Sequence, residues 1–159
     1  MNRAGLRTVR RSWWALVPLV PLVVASCSSG TGGSPSADAS LKSADATVLA
    51  AVGRYPATVN LCPSASSPVV CVEAADRTLG GRIHTYANVL AVGHGFAAPP
   101  ADLAAARNAA QTLANSLEIL GDAQPTQANY DRVRNTFDVS SALAHLRSTV
   151  TTLDGALGG

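Results

Sequence analysis

The chain has few aromatic residues, few charges and a single lysine. Aromatic residues fill 4% and charged residues 14% of the 159 positions, and the lysine is Lys42. No basic cluster follows the arginine-rich first eleven residues, which argues against a nucleic-acid partner. Both tryptophans, Trp13 and Trp14, lie near the N-terminus, and the five aromatic residues after them are too few for a base-stacking platform.

The chain also lacks the short motifs that mark common catalytic and metal sites. It has no Gly-x-Ser-x-Gly elbow, no glycine-rich phosphate loop, and no His-x-x-x-His or Glu-x-x-His pair. Its acidic residues are spread singly, and we interpret Glu73 and Asp76 as first-turn charges that the helix dipole favours. We therefore expect a protein that is not an enzyme and that uses no cofactor or metal.

Residues 1–27 divide into a basic start, a short apolar run and a small-residue exit. Four arginines and no acid precede the apolar run, which extends from Trp13 to Val24. As a helix, at about 1.5 Å per residue, this run would reach roughly 20 Å, short of the ~30 Å hydrocarbon core of a bilayer. Pro18 and Pro21 weaken it further as a lasting helix. The pattern predicts a cleaved export signal and not a transmembrane anchor.

The exit, Val24–Cys27, reads Val-Ala-Ser-Cys. It resembles the lipobox of bacterial lipoprotein precursors, and the resemblance covers only the first 27 residues. It implies cleavage between Ser26 and Cys27, a diacylglycerol thioether on Cys27, and often an acyl chain on the new amino group. Two or three chains would hold the protein at the extracytoplasmic face of the cell membrane, since each buried methylene contributes about 0.8 kcal/mol. The pair Arg10-Arg11 loosely resembles a twin-arginine signal, which leaves the export route open.

The chain after cleavage, residues 27–159, is long enough for one domain. Eight of the twelve basic residues and all ten acids lie in it, which gives a formal net charge of −2, against +2 for the whole chain. The segment Ser28–Ser40 is rich in glycine and serine and predicts a flexible linker after the lipidated cysteine. We expect the folded domain to occupy residues 41–159.

Apolar residues recur at helical spacing in four stretches after the linker. The predicted helices are 41–55, 72–92, 103–120 and 126–153. Pro56 is expected to stop the first helix, whose apolar face carries Asp45 as a polar exception at its edge. Gly80-Gly81 indicates close packing or a bend in the second helix, and a phase change near residue 138 predicts a kink or a new helix. The sequence predicts an all-α fold, a small four-helix bundle with one disulfide-closed loop.

Cys62 and Cys71 are the one possible intramolecular cysteine pair if Cys27 is lipidated. A metal site would need more ligands nearby, and redox couples favour Cys-x-x-Cys spacing. We therefore predict a structural disulfide. Closing a loop of about ten residues would stabilise the fold by roughly 2.5–3 kcal/mol.

Three histidines are the remaining candidates for a binding site. His84 lies at the edge of the second apolar seam, His94 sits in a turn between two glycines, and His145 flanks the last helix. Their spacing does not require the three side chains to lie close together, and we take His84 and His94 as candidate ligand-binding residues. Our functional hypothesis is a membrane-anchored binding module with an envelope protein as partner. The alternative is a carrier or sensor of a small ligand, such as haem or a metal, with a cavity near Gly80-Gly81.

Overall fold

A computed structural model describes residues 34–122 and 126–158, and within these residues the protein is helical and has no β-strand. The predicted all-α fold is confirmed. The expected signal peptide and Cys27 lie outside the described residues. The elements are α1 (Pro35–Leu61), a 3₁₀ turn (Cys62–Ser64), α2 (Pro68–Val92), α3 (Pro100–Gly121), α4 (Gln127–Arg134) and α5 (Val139–Gly158).

The four long helices form a closed ring in which each helix packs against the next along the chain. Helix α2 packs against α1 and α3, and α5 closes the ring by packing against both α3 and α1. Early residues of α1 meet late residues of α2, as in the contact of Asp45 with Tyr86, so these helices run antiparallel. The short α4 lies between α3 and α5 in the chain and contacts α3.

The core is built from the apolar seams that helical spacing predicts. Most of its large side chains are leucines, and alanines of α3 let the neighbouring helices approach closely. One close approach is at Gly80, where an added Cβ would lie 3.3 Å from Leu117 Cβ and 3.5 Å from the Ala114 carbonyl oxygen. Gly81 faces open space. The glycine pair therefore marks close helix packing through its first member.

Helix α1 is longer at both ends than the sequence indicates. It begins at Pro35, so residues 35–40 belong to the helix and not to the expected linker. Proline suits the first helical position because it has no N–H to leave unpaired. The Asp38 carboxylate also accepts a hydrogen bond of 2.9 Å from the Ala97 backbone N–H, which ties this turn to the α2–α3 connection.

The expectation that Pro56 stops α1 is wrong, because the helix continues to Leu61. A proline inside a helix removes one backbone hydrogen bond and costs about 3 kcal/mol. The continuation is supported by Cys62, which is fully buried and is joined by a disulfide to Cys71 in the first turn of α2. The disulfide holds the end of α1 against the start of α2, with Cα atoms 5.4 Å apart.

The predicted break in the last helical stretch is confirmed as a new helix. Helix α4 ends at Arg134 and α5 begins at Val139. Asp138 caps α5: its carboxylate accepts hydrogen bonds from the backbone N–H of Ser141, at 2.9 Å, and from the Ser141 hydroxyl, at 2.6 Å. No helix among residues 34–122 and 126–158 is both long and apolar enough to cross a bilayer.

Candidate functional site

A buried aspartate on α2 joins three helices through hydrogen bonds. Asp76 is fully buried, and its two carboxylate oxygens accept hydrogen bonds from Tyr55 of α1 and, at 3.0 Å, from Tyr130 of α4. The Tyr130 hydroxyl in turn accepts a hydrogen bond of 2.8 Å from Arg134, whose guanidinium carbon lies 5.7 Å from the centre of the Tyr130 ring. We call these four residues the polar cluster.

The interpretation of Glu73 and Asp76 as first-turn charges is wrong. Helix α2 begins at Pro68, four residues before the predicted start, so both acids lie past its first turn. Both are buried, Glu73 with 6% of its surface exposed. Buried acids are rare unless other groups pair with them. Of these two, Asp76 is paired, since it accepts hydrogen bonds from tyrosine hydroxyls of two other helices.

The pKa values of the polar cluster keep the tyrosines protonated. Burial raises the pKa of Asp76, and the hydrogen bonds from Tyr55 and Tyr130 partly offset that rise. Burial and the neighbouring Asp76 charge raise the pKa of Tyr130 to about 12, and burial with the Asp76 hydrogen bond raises that of Tyr55 further. Each hydroxyl therefore remains a hydrogen-bond donor to Asp76 at physiological pH.

A second buried acid, Asp45, pairs with Tyr86 between α1 and α2. The Tyr86 hydroxyl donates to Asp45 Oδ1 at 2.6 Å, and Asp45 Oδ2 has no partner in the described part of the chain. Asp45 is 1% exposed, so its expected position at the edge of the apolar face is wrong. Burial raises the pKa of Asp45 to about 6, and the charge of Asp154 on α5 adds to the rise.

Three grooves surround the C-terminal half of α1 and border the polar cluster. The α1–α2 groove has a volume of about 410 Å³ and is lined by Tyr55, Cys71 and the arginines Arg54 and Arg82. The disulfide groove, about 640 Å³, lies between the disulfide and α4. The α1–α5 groove, about 200 Å³, shares Arg134 with the disulfide groove. The polar cluster therefore positions a cation at the boundary of two grooves.

Exposed apolar side chains flank the disulfide. Leu61 precedes Cys62 and is 71% exposed, while Val70 precedes Cys71 and is 48% exposed. Since the disulfide joins the two cysteines, these apolar residues belong to the same end of the bundle. We call the disulfide, Leu61, Val70 and the disulfide groove the disulfide end.

The structure does not bring the three candidate histidines together in one site. His84 is exposed and lines a cleft of about 250 Å³ between α2 and α3, together with Gly80 and Gly81. His94 is exposed in the α2–α3 connection and does not line that cleft, and His145 is exposed on α5. Across the described ranges, no three His, Cys, Asp or Glu side chains form a group that could hold a metal ion.

Sequence reasoning missed the polar cluster, although one signal for it was present. All three tyrosines of the bundle lie on predicted apolar seams, and a buried tyrosine hydroxyl usually needs a hydrogen-bond partner. Few polar side chains lie on those seams. An acidic residue on or next to a seam is therefore the expected acceptor for a buried tyrosine hydroxyl. Asp76 is adjacent to the seam residue Ala75, and Asp45 lies on the first seam itself.

Comparison with protein-family models, with curated proteins and with solved structures gives no match to this chain.

Proposed function

We propose that the mature chain is a lipid-anchored protein of the extracytoplasmic membrane face that acts by binding, with the disulfide end as its working surface. The lipobox-like stretch that ends at Cys27 supports the anchor. An envelope protein is the expected partner, because an anchored bundle with an exposed recognition surface suits contact with a neighbour in the same compartment.

The position of Arg134 is the observation that carries this proposal. Its guanidinium lies where the disulfide groove and the α1–α5 groove meet, and Tyr130 holds it there. Val59, Val69 and Val72 line the disulfide groove with it, and exposed Leu61 and Val70 flank the disulfide at the same end of the bundle. Arginine beside apolar side chains is a common composition for the energetically important centre of an interface. A guanidinium held by a buried partner also loses little freedom on binding.

The chemistry of the polar cluster favours binding over catalysis. Both carboxylate oxygens of Asp76 are occupied by tyrosine donors, and the residue is fully buried. A general acid or base must reach a substrate proton and titrate near the working pH. The pKa of Tyr130 is raised to about 12, away from that range. The cluster is suited to holding Arg134 in place, and we propose no reaction at it.

Site-specific photocrosslinking in the native envelope tests the proposal. A photoreactive amino acid would replace Leu61 at the disulfide end or, as the matched control, Val92 at the end of α2. The two residues have the same exposure, 71% and 72%, so they differ in location and not in accessibility. We expect a discrete crosslinked product from position 61 and a markedly weaker one from position 92. Equal products from both positions, or none from position 61, would reject the disulfide end as the working surface.

A second candidate function is a small-ligand carrier or sensor, favoured by the cleft between α2 and α3. Gly80, Gly81 and His84 line this cleft, and its volume of about 250 Å³ is near the lower limit of small-molecule sites. Haem or a metal would require donor side chains beyond His84. Native mass spectrometry of the mature protein tests this function: a mass lost on denaturation would support it, and a bare chain would exclude it.

A further inference from the structure

The disulfide groove combines apolar walls with a single cation. Its walls include Val59, Val69 and Val72, and its volume of about 640 Å³ falls within the roughly 300–1,000 Å³ typical of small-molecule sites. The three valines are partly buried and pack against the core, so the walls belong to the folded body of the protein. An apolar ligand that covers these walls would bind favourably, because it removes apolar surface from water.

Arg134 supplies the charge at one boundary of this groove. One of its five N–H donors is used by Tyr130, and it takes part in no side-chain ion pair within the described ranges. Asp131 also lines the groove, but its carboxylate is exposed and accepts a hydrogen bond of 2.7 Å from Gln127. Arg134 therefore retains donors in a geometry that matches a carboxylate.

We propose that the disulfide groove binds an amphiphilic carboxylate, with its apolar chain along the valine wall and its carboxylate on Arg134. The inference rests on the proposed binding function and adds a small amphiphile to the protein partner proposed for the same surface. A single guanidinium neutralises a monoanion, whereas a phosphate monoester would bring a second charge that no other cation lining the groove compensates. Asp131 adds a negative charge to the same groove and further disfavours a dianion, and a carboxylate is the monoanion that we propose.

Photoaffinity labelling of the mature protein in its native membrane tests this proposal. The probe is decanoic acid carrying a diazirine in its chain, and the matched probe is its uncharged methyl ester. We expect the acid to label the segments around Val59 and residues 69–72 about tenfold more than the ester does, because only the acid can form the charge-assisted hydrogen bonds. Peptide mapping by mass spectrometry locates and quantifies the label.

Two arginine variants separate Arg134 from general positive charge. Arg134→Gln removes the cation, and we expect it to reduce labelling by the acid about tenfold without changing labelling by the ester. Arg132→Gln is the control, since Arg132 lies on the same short helix, is exposed and bonds Asn129 outside the groove. Equal labelling by acid and ester, or equal labelling of the two variants, would overturn the proposal.

A third variant keeps the test decisive if Arg134→Gln disturbs the polar cluster. Val69→Asp changes the groove wall and leaves the cluster intact, and we expect it to reduce labelling by both probes. Thermal unfolding of each variant establishes that the bundle is folded. If labelling fails while position 61 still crosslinks a partner, the amphiphile is rejected and the binding function stands. If both experiments fail, both proposals are rejected.

Discussion

At the scale of single residues, the bundle places three carboxylic acids in its interior. Asp45, Glu73 and Asp76 are all at most 6% exposed. Removing a carboxylate from water is costly unless donors replace the lost hydration. Tyrosine hydroxyls donate to both oxygens of Asp76 but to only one oxygen of Asp45. The other Asp45 oxygen and one oxygen of Glu73 have no hydrogen-bond partner in the described ranges. These residues therefore make stability depend on pH.

We predict that Asp45 contributes more to the free energy of unfolding at pH 4.5 than at pH 7.5. Its pKa is about 6 in the folded chain against an ordinary value of 3.8. Between those values the folded state binds more protons than the unfolded state, so stability falls as pH rises. Asp45→Asn should remove this contribution, which is at most about 2 kcal/mol between the two pH values. Urea unfolding of both proteins at the two pH values measures it, and parallel profiles would contradict the prediction.

Tyr130→Phe is expected to lower the free energy of unfolding by about 1–3 kcal/mol, because Asp76 then keeps a buried oxygen without a donor. Urea unfolding measures the loss. A double-mutant cycle with Asp76→Leu, which removes both acceptor oxygens, provides the control: the two changes should be coupled, since both remove the hydrogen bond between Tyr130 and Asp76. Strictly additive losses would show that Tyr130 stabilises the fold by packing alone.

At the scale of helices, the two adjacent glycines of α2 allow the effect of close packing on stability to be measured apart from that of helix propensity. We predict that Gly81→Ala stabilises the protein by about 0.5–1 kcal/mol, because position 81 is exposed and faces open space. Gly80→Ala should be about 1 kcal/mol less favourable than Gly81→Ala, since its Cβ would press on Leu117 and force α2 and α3 apart. Thermal unfolding of the two variants compares them directly, and equal shifts would refute the close-packing explanation.

The helices show where sequence patterns suffice and where they fail. The seam of α3 was predictable because its alanines and leucines repeat without a competing signal between Leu103 and Leu120. The ends of α1 were not, because proline can either start or stop a helix: Pro35 starts α1, and Pro56 lies inside it. The polar cluster depends on contacts among α1, α2 and α4, which no local pattern specifies.

At the scale of the whole molecule, the two ends of the bundle differ in chemistry. The end near Pro35 follows the expected lipidation site, and the opposite end of α1 carries the disulfide, the exposed leucine and the grooves. We predict that Cys27→Ala releases the protein from the membrane fraction or blocks its processing, because the acyl chains would be its attachment. Fractionation and intact mass measure this, and an unchanged mass with normal anchoring would rule out lipidation at Cys27.

The length of α1 sets how far the working surface can stand from the bilayer. Its 27 residues, at about 1.5 Å each, place Leu61 roughly 40 Å from Pro35. If Cys27 is the attachment point and α1 stands upright on the membrane, the disulfide end would lie above the lipid headgroups. Lipids that stay embedded in the bilayer would then be out of reach of an upright protein. An amphiphile would have to leave the membrane or be delivered by a neighbour, which suits a protein that receives or relays such a molecule.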